Sequence, residues 1–172
     1  VTNDRNPDLP QRSGSFQAMV RAGNSVTAYL RTGRGDPVVL LRRAQHADAL
    51  WGIVLGEVSQ SFRAIVPEHA PPGAEFGPWF RAFLDGLGLG TVRVVSDAHF
   101  GRCCADAGLL DPDWLSMLVV LDDSDAMGRF AASLDPDVHP LVKIARVVSG
   151  DDVYGVVERT VAHLRERSST VG

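Results

Sequence analysis

Two polar side chains stand where chemistry is most readily placed. Asp97 and His99 directly follow the apolar run Val92–Val95, a predicted strand. Open α/β sheets bind their ligands beyond the C-terminal ends of such strands. A histidine there can polarise or protonate a substrate. The same residues also suit the start of a helix, with Asp97 as its N-cap, and the sequence supports both readings. His69 lies in the loop after an earlier predicted strand, at the mouth of such a site or simply on the surface. Asp122 and Asp123 follow a later strand, where a carboxylate can orient a catalytic group or merely cap a helix. The other reactive types suggest less. Cys103 and Cys104 are adjacent, neighbouring cysteines rarely bridge each other, and metal sites space their ligands. The pair reads as two small apolar residues of a helix. None of the 5 histidines shares metal-ligand spacing with another, so no metal is expected. The glycine signatures GxGxxG and GxxxxGK(S/T) are absent, which removes the main nucleotide-binding readings and leaves no cofactor expected.

The elements that must position these residues alternate in type. Short apolar runs predict strands at Phe16–Ala22, Ser25–Arg31, Pro37–Leu41, Phe62–Val66, Val92–Val95, Met117–Leu121 and Val142–Val148. Gly23-Asn24 between the first two is a hairpin signal. The later runs are continuous in Val, Ile and Leu, as befits strands buried on both faces. Helices with a 3.6-residue apolar repeat are predicted at Ala47–Val58, Phe76–Leu87, Phe100–Ala107, Asp125–Leu134 and Val153–Arg165. The fold class is α/β: a mostly parallel, twisted sheet with helices on both faces, opened by one antiparallel hairpin.

At 172 residues the chain suits one domain, read as a flexible lead-in over 1–14 and a single unit over 15–172. Hydrophobic residues make up 45% and charged residues 22%, the balance of an ordinary globular protein. The net charge of −4 is spread without a block of like sign, which speaks against nucleic acid as partner. No apolar run nears the roughly 18 residues of a spanning helix, so no membrane role is expected. Val1–Ser13 has no apolar h-region, and the cytoplasm is the default location. Lys143 is the single lysine among 17 basic residues, a bias that suggests a GC-rich bacterial gene.

Several segments, in order, carry a resemblance. The run Tyr29–Leu41 contains the glycine-rich Thr32-Gly33-Arg34-Gly35-Asp36-Pro37 turn between two strands. Arg42-Arg43 follows it, then Trp51, then Phe62–Glu68 with its Pro67-Glu68 ending, then Gly73, then Val92–Gly101. This set, collinear over about residues 15–125, resembles the α/β-hydrolase family in a shortened, cap-less and degenerate form. The resemblance implies a nucleophile at a strained strand-to-helix turn, with small residues two before and two after it. Ser96-Asp97-Ala98-His99-Phe100-Gly101 aligns there. Ser96 is small, Ala98 takes the nucleophile position, and Phe100 replaces a glycine. Ala98 has no nucleophilic atom, so serine chemistry is not expected from it.

The other implied parts are partly present. An oxyanion hole would use the amide of His99 and one from the loop after the third strand. There Arg42-Arg43 stands for the family's His-Gly, and both arginines would point into the crevice. They would favour a carboxylate, a phosphate or a carrier-protein phosphopantetheine arm, or else form a solvated pair at a strand end. Asp122, Asp123 and Asp125, or Asp151 and Asp152, fall where an acid is implied. Ser149–Asp152 occupies the implied histidine position, and His163 is expected to face outward. The expected function is action on an ester, thioester or other acyl or carbonyl substrate, small or carrier-bound, by a hydrolase or acyltransferase repurposed in bacterial metabolism. The alternative is a non-catalytic relative that binds a small molecule or a protein. An uncovered sheet edge or helix face also makes a homodimer an expectation.

Overall fold

A computed structural model describes residues 15–43, 49–122, 125–146 and 153–166, and at Asp122 the backbone alone. The lead-in over 1–14, Asp123, Val147 and Val148, and the Ser149–Asp152 segment lie outside the described residues.

The apolar runs become strands. β1 (Phe16–Ala22) and β2 (Ser25–Thr32) form a hairpin, and Gly23 at φ 63° takes the first turn position, as a type II′ turn requires. β3 (Pro37–Leu41) and α1 (Ala49–Ser61) lead to β4 (Arg63–Pro67), followed by α2 (Phe76–Gly86) and β5 (Val92–Asp97). Then come α3 (Ala98–Asp106), β6 (Leu115–Asp122), α4 (Asp125–Ala132), β7 (Val142–Arg146) and α5 (Val153–Arg165). The 7-stranded sheet has the order β1-β2-β4-β3-β5-β6-β7. β2 pairs antiparallel with β1 and β4, and the remaining pairs are parallel, so β2 alone runs against the others. β5 lies between β3 and β6, which places Asp97 and His99 near the middle of the sheet.

Strand alternation divides the core in two. On β3, Val39 and Leu41 join the cluster under α2, α3 and α4, with Phe76, Phe80, Phe83 and Phe100. Val38 and Leu40 face the other way, onto Trp51, Val54 and Val58 of α1 and Val156, Val157 and Leu164 of α5. Each phenylalanine taken fully from water contributes about 1.5–3 kcal/mol. Trp79 on α2 adds direction to this packing by donating its indole N–H to Thr27 Oγ1 on β2 at 3.0 Å.

Several boundaries differ from the sequence reading. The first helix, described over Ala49–Ser61, runs past the predicted end at Val58, the predicted start at Ala47 lies outside the described residues, and Leu50 is only half-buried. The third helix starts at Ala98, two residues before the predicted Phe100, because Asp97 caps it. β6 begins at Leu115 and β5 extends to Asp97, longer at those ends than predicted. Between β6 and β7 the described residues form only α4 and a single 3-10 turn at His139–Leu141. No helix among the described residues is long and apolar enough to cross a membrane.

Candidate functional site

The end of β3 and the end of β5 are neighbours, with Leu41 opposite Ser96 in the parallel register. The residues that follow each strand are therefore forced together. Asp97 is the last residue of β5, 4% exposed. Its Oδ1 accepts the amide N–H of Phe100 at 2.9 Å, which caps α3. Its Oδ2 accepts the amide N–H of Arg43 at 3.1 Å and the Arg43 Nε–H at 3.2 Å. One buried carboxylate thus binds two backbone amides and a guanidinium from two segments of the chain. The positive end of the α3 dipole and the Arg43 charge together offset its desolvation.

Around this clamp opens a cleft of about 310 Å³. Arg42 and Arg43 contribute to it from just beyond β3, Glu68 and His69 from beyond β4, and His99 and Phe100 from α3. Five residues singled out from the sequence, Arg42, Arg43, His69, His99 and Phe100, are therefore brought to one opening. Arg43 is committed to Asp97, whereas Arg42 is half-buried and makes no ion pair among the described residues. His99 lies edge-on to Phe100 at 5.1 Å and 3.9 Å from the Cys103 sulfur, one helical turn on. Glu68 was missed as a site residue; its place directly after β4, beside His69, was the available signal.

Other expected residues are placed elsewhere. Asp122 ends β6 opposite Arg146 of β7, and Asp123 lies outside the described residues. His163 on α5 is partly exposed, meets the exposed Glu166 at 3.0 Å, and does not line the cleft. Glu166 in turn is held below the usual carboxylate range by its hydrogen bond from His163, then by Lys143. Cys103 and Cys104 are free and buried on α3, as small apolar residues would be. Among the described residues no three His, Cys, Asp or Glu side chains gather to hold a metal ion.

No family model and no curated protein matches the chain. Solved structures do. An epoxide hydrolase from an endophytic Streptomyces superposes with a TM-score of 0.54 at 18% identity, over 72% of this chain and 44% of that one. An epoxide hydrolase from Vigna radiata gives 0.51 at 20% identity, over 62% and 38%. A putative lipase from Acinetobacter baumannii gives 0.53 at 13%, over 63% and 41%. The chain has an α/β-hydrolase fold. It spans between 38% and 44% of the length of these three structures, and at such identities the likeness concerns the fold alone.

Within that fold the turn after β5 departs from the expected one. A strained turn at Ala98 was anticipated, yet Ala98 is the first residue of α3, and among the described residues only glycines have positive φ. The cause is Asp97, whose extended backbone (φ −72°, ψ 170°) and capping carboxylate let the helix begin at once. Gly101 lies where the helix meets the sheet. A Cβ there would stand 2.9 Å from Val120 Cγ2 and 3.2 Å from Ser96 Oγ, so glycine lets α3 lie close on β5 and β6. Ser96 Oγ is buried beneath it without a hydrogen-bond partner among the described residues.

Proposed function

We propose that this α/β-hydrolase-fold chain binds a small carboxylate or phosphate ligand in the Arg42–His69–His99 cleft and does not turn it over. The observation carrying this reading is the Asp97 clamp. Stabilising an acyl oxyanion needs preorganised N–H donors aimed at an empty position. Here the Arg43 amide, from the loop after β3 that would supply one of the two implied donors, already serves the protein's own carboxylate, as does the Phe100 amide beside the other. Ala98 offers a methyl group at the start of α3, and no hydroxyl or carboxylate takes its place at that position. Arg42 then supplies the charge for an anionic ligand, His69 and His99 supply polar contacts, and Glu68 accepts from a hydroxyl or amine on it.

Titration calorimetry and amide NMR with inorganic phosphate and glycolate test this reading. Saturable binding that perturbs the Arg42, His69 and His99 amides is expected, weakened roughly tenfold by Arg42→Ala. Binding unaffected by that substitution, or none at all, refutes the ligand. A second reading, an enzyme acting on esters, thioesters or carrier-bound acyl groups, draws support from the likeness to epoxide hydrolases and a lipase. Steady turnover of p-nitrophenyl butyrate by the unaltered chain would establish it and overturn the first.

A further inference from the structure

A second opening, about 370 Å³, lies at the other end of the sheet, between the C-terminal halves of α3 and α4. α3 leaves the clamp at Asp97 and runs away from it, so Ala105–Leu110 and the end of α4 sit beyond the N-terminal ends of the parallel strands. The floor is apolar, built from Leu110, Phe130 and Leu134, while Asp106, Asp111 and Asp135 stand on the rim, with Arg102 beside them at Asp106 and Phe130. Both helices direct their C-terminal, partially negative ends this way.

The carboxylates are held in place. Asp111 Oδ1 accepts the Asp113 amide at 2.8 Å and Asp135 Oδ1 accepts the Asp137 amide at 2.9 Å. Each keeps its second oxygen without a partner among the described residues. One cation of the chain already uses this wall. Arg102 pairs with Asp106 Oδ1 at 3.2 Å and stacks 4.6 Å over the Phe130 ring, the arrangement of carboxylate and aromatic face that recognises ammonium and guanidinium groups.

We propose that the α3–α4 cleft binds a small organic cation, an ammonium or guanidinium carried on an apolar body. The body lies on Leu110 and Leu134, and the charge meets Asp111 and Asp135. The occupant is identified by charge complementarity: an apolar floor alone would accept any hydrophobe, but this rim rejects anions and rewards a cation. The site is separate from the Arg42 cleft and does not depend on its ligand.

The probe is 2-phenylethylammonium, compared with the neutral 2-phenylethanol and the anionic 3-phenylpropanoate, followed by amide NMR at low salt. Shifts centred on Gly108, Asp111, Phe130 and Leu134 are expected, with the ammonium preferred roughly tenfold over the alcohol. The Asp111→Asn, Asp135→Asn double variant should narrow that preference to roughly threefold or less, with Asp111→Asn alone intermediate should the double variant lose its fold. Equal binding of alcohol and ammonium, shifts scattered away from the cleft, absence of binding, or a preference surviving the substitutions would overturn the proposal.

Discussion

Asp97 places one oxygen against the Phe100 amide and the other against the Arg43 amide and guanidinium. Asp97→Asn keeps the shape but turns one acceptor into a donor facing an N–H. A buried donor left unpaired costs about 1–3 kcal/mol, and a lower urea midpoint of that size is the expected result. Removing the cap with Asp97→Ala should also fray the first turn of α3, visible as faster hydrogen exchange at His99 and Phe100. Ala98→Ser is expected to give no measurable ester turnover. The new hydroxyl would sit on a relaxed helix start with no base identified to activate it, and robust turnover in a p-nitrophenyl butyrate assay would show that a base was misplaced. At this scale the sequence was half legible. Asp97 was readable as a helix cap, which its bond to the Phe100 amide bears out, and its position after β5 also made it a candidate site residue. Its bond to Arg43 was not readable, since 54 residues separate the two and only the β3–β5 register brings them together.

Elements meet most closely where a side chain is missing. At Gly86, the last residue of α2, an added Cβ would stand 2.4 Å from the Arg21 carbonyl oxygen of β1. Gly86→Ala must push α2 off the hairpin, and a loss of about 1–3 kcal/mol is expected in chemical denaturation. Gly33 is tighter still, with φ 79° and an ideal Cβ 2.2 Å from the Phe62 carbonyl oxygen, so Gly33→Ala should abolish folding or nearly so. α3 carries a pH-dependent term as well. Burial, with Cys103 adding to it, pushes the Cys104 thiol far above its ordinary value of 9.0. Below that value folded and unfolded thiols are both neutral and the contribution is fully present. Above it only the unfolded chain ionises, so stability is lost as pH rises, by up to about 1.4 kcal/mol per pH unit. Denaturation series taken from about pH 8 to about pH 10.5 should show a shallower decline for Cys104→Ala than for the unaltered chain. The elements themselves were largely legible from apolar periodicity, but their ends were not. α3 started early because a hydrogen bond, rather than hydrophobic pattern, decides where a helix begins.

For the molecule as a whole, the alternation of strands and helices disclosed the architecture, and the hairpin signal disclosed its one reversed strand. The strand order was out of reach, because β3 and β4 exchange places in space while the chain lists them in sequence. Met19 and Val26, 75% and 62% exposed on the β1–β2 hairpin, show the limit of pattern reading, since apolar residues there need not be core. Met19→Lys and Val26→Thr should each shift stability by less than about 0.5 kcal/mol in thermal denaturation. The capped start of α3 also limits what substitution can do there. A strained turn is tolerated only while its function is selected, and here the same stretch is a satisfied helix N-terminus that anchors Arg43. Any lineage holding this arrangement has stability on its side. A single substitution cannot make this stretch a strained turn, because the backbone, the cap and the clamp must all be undone together.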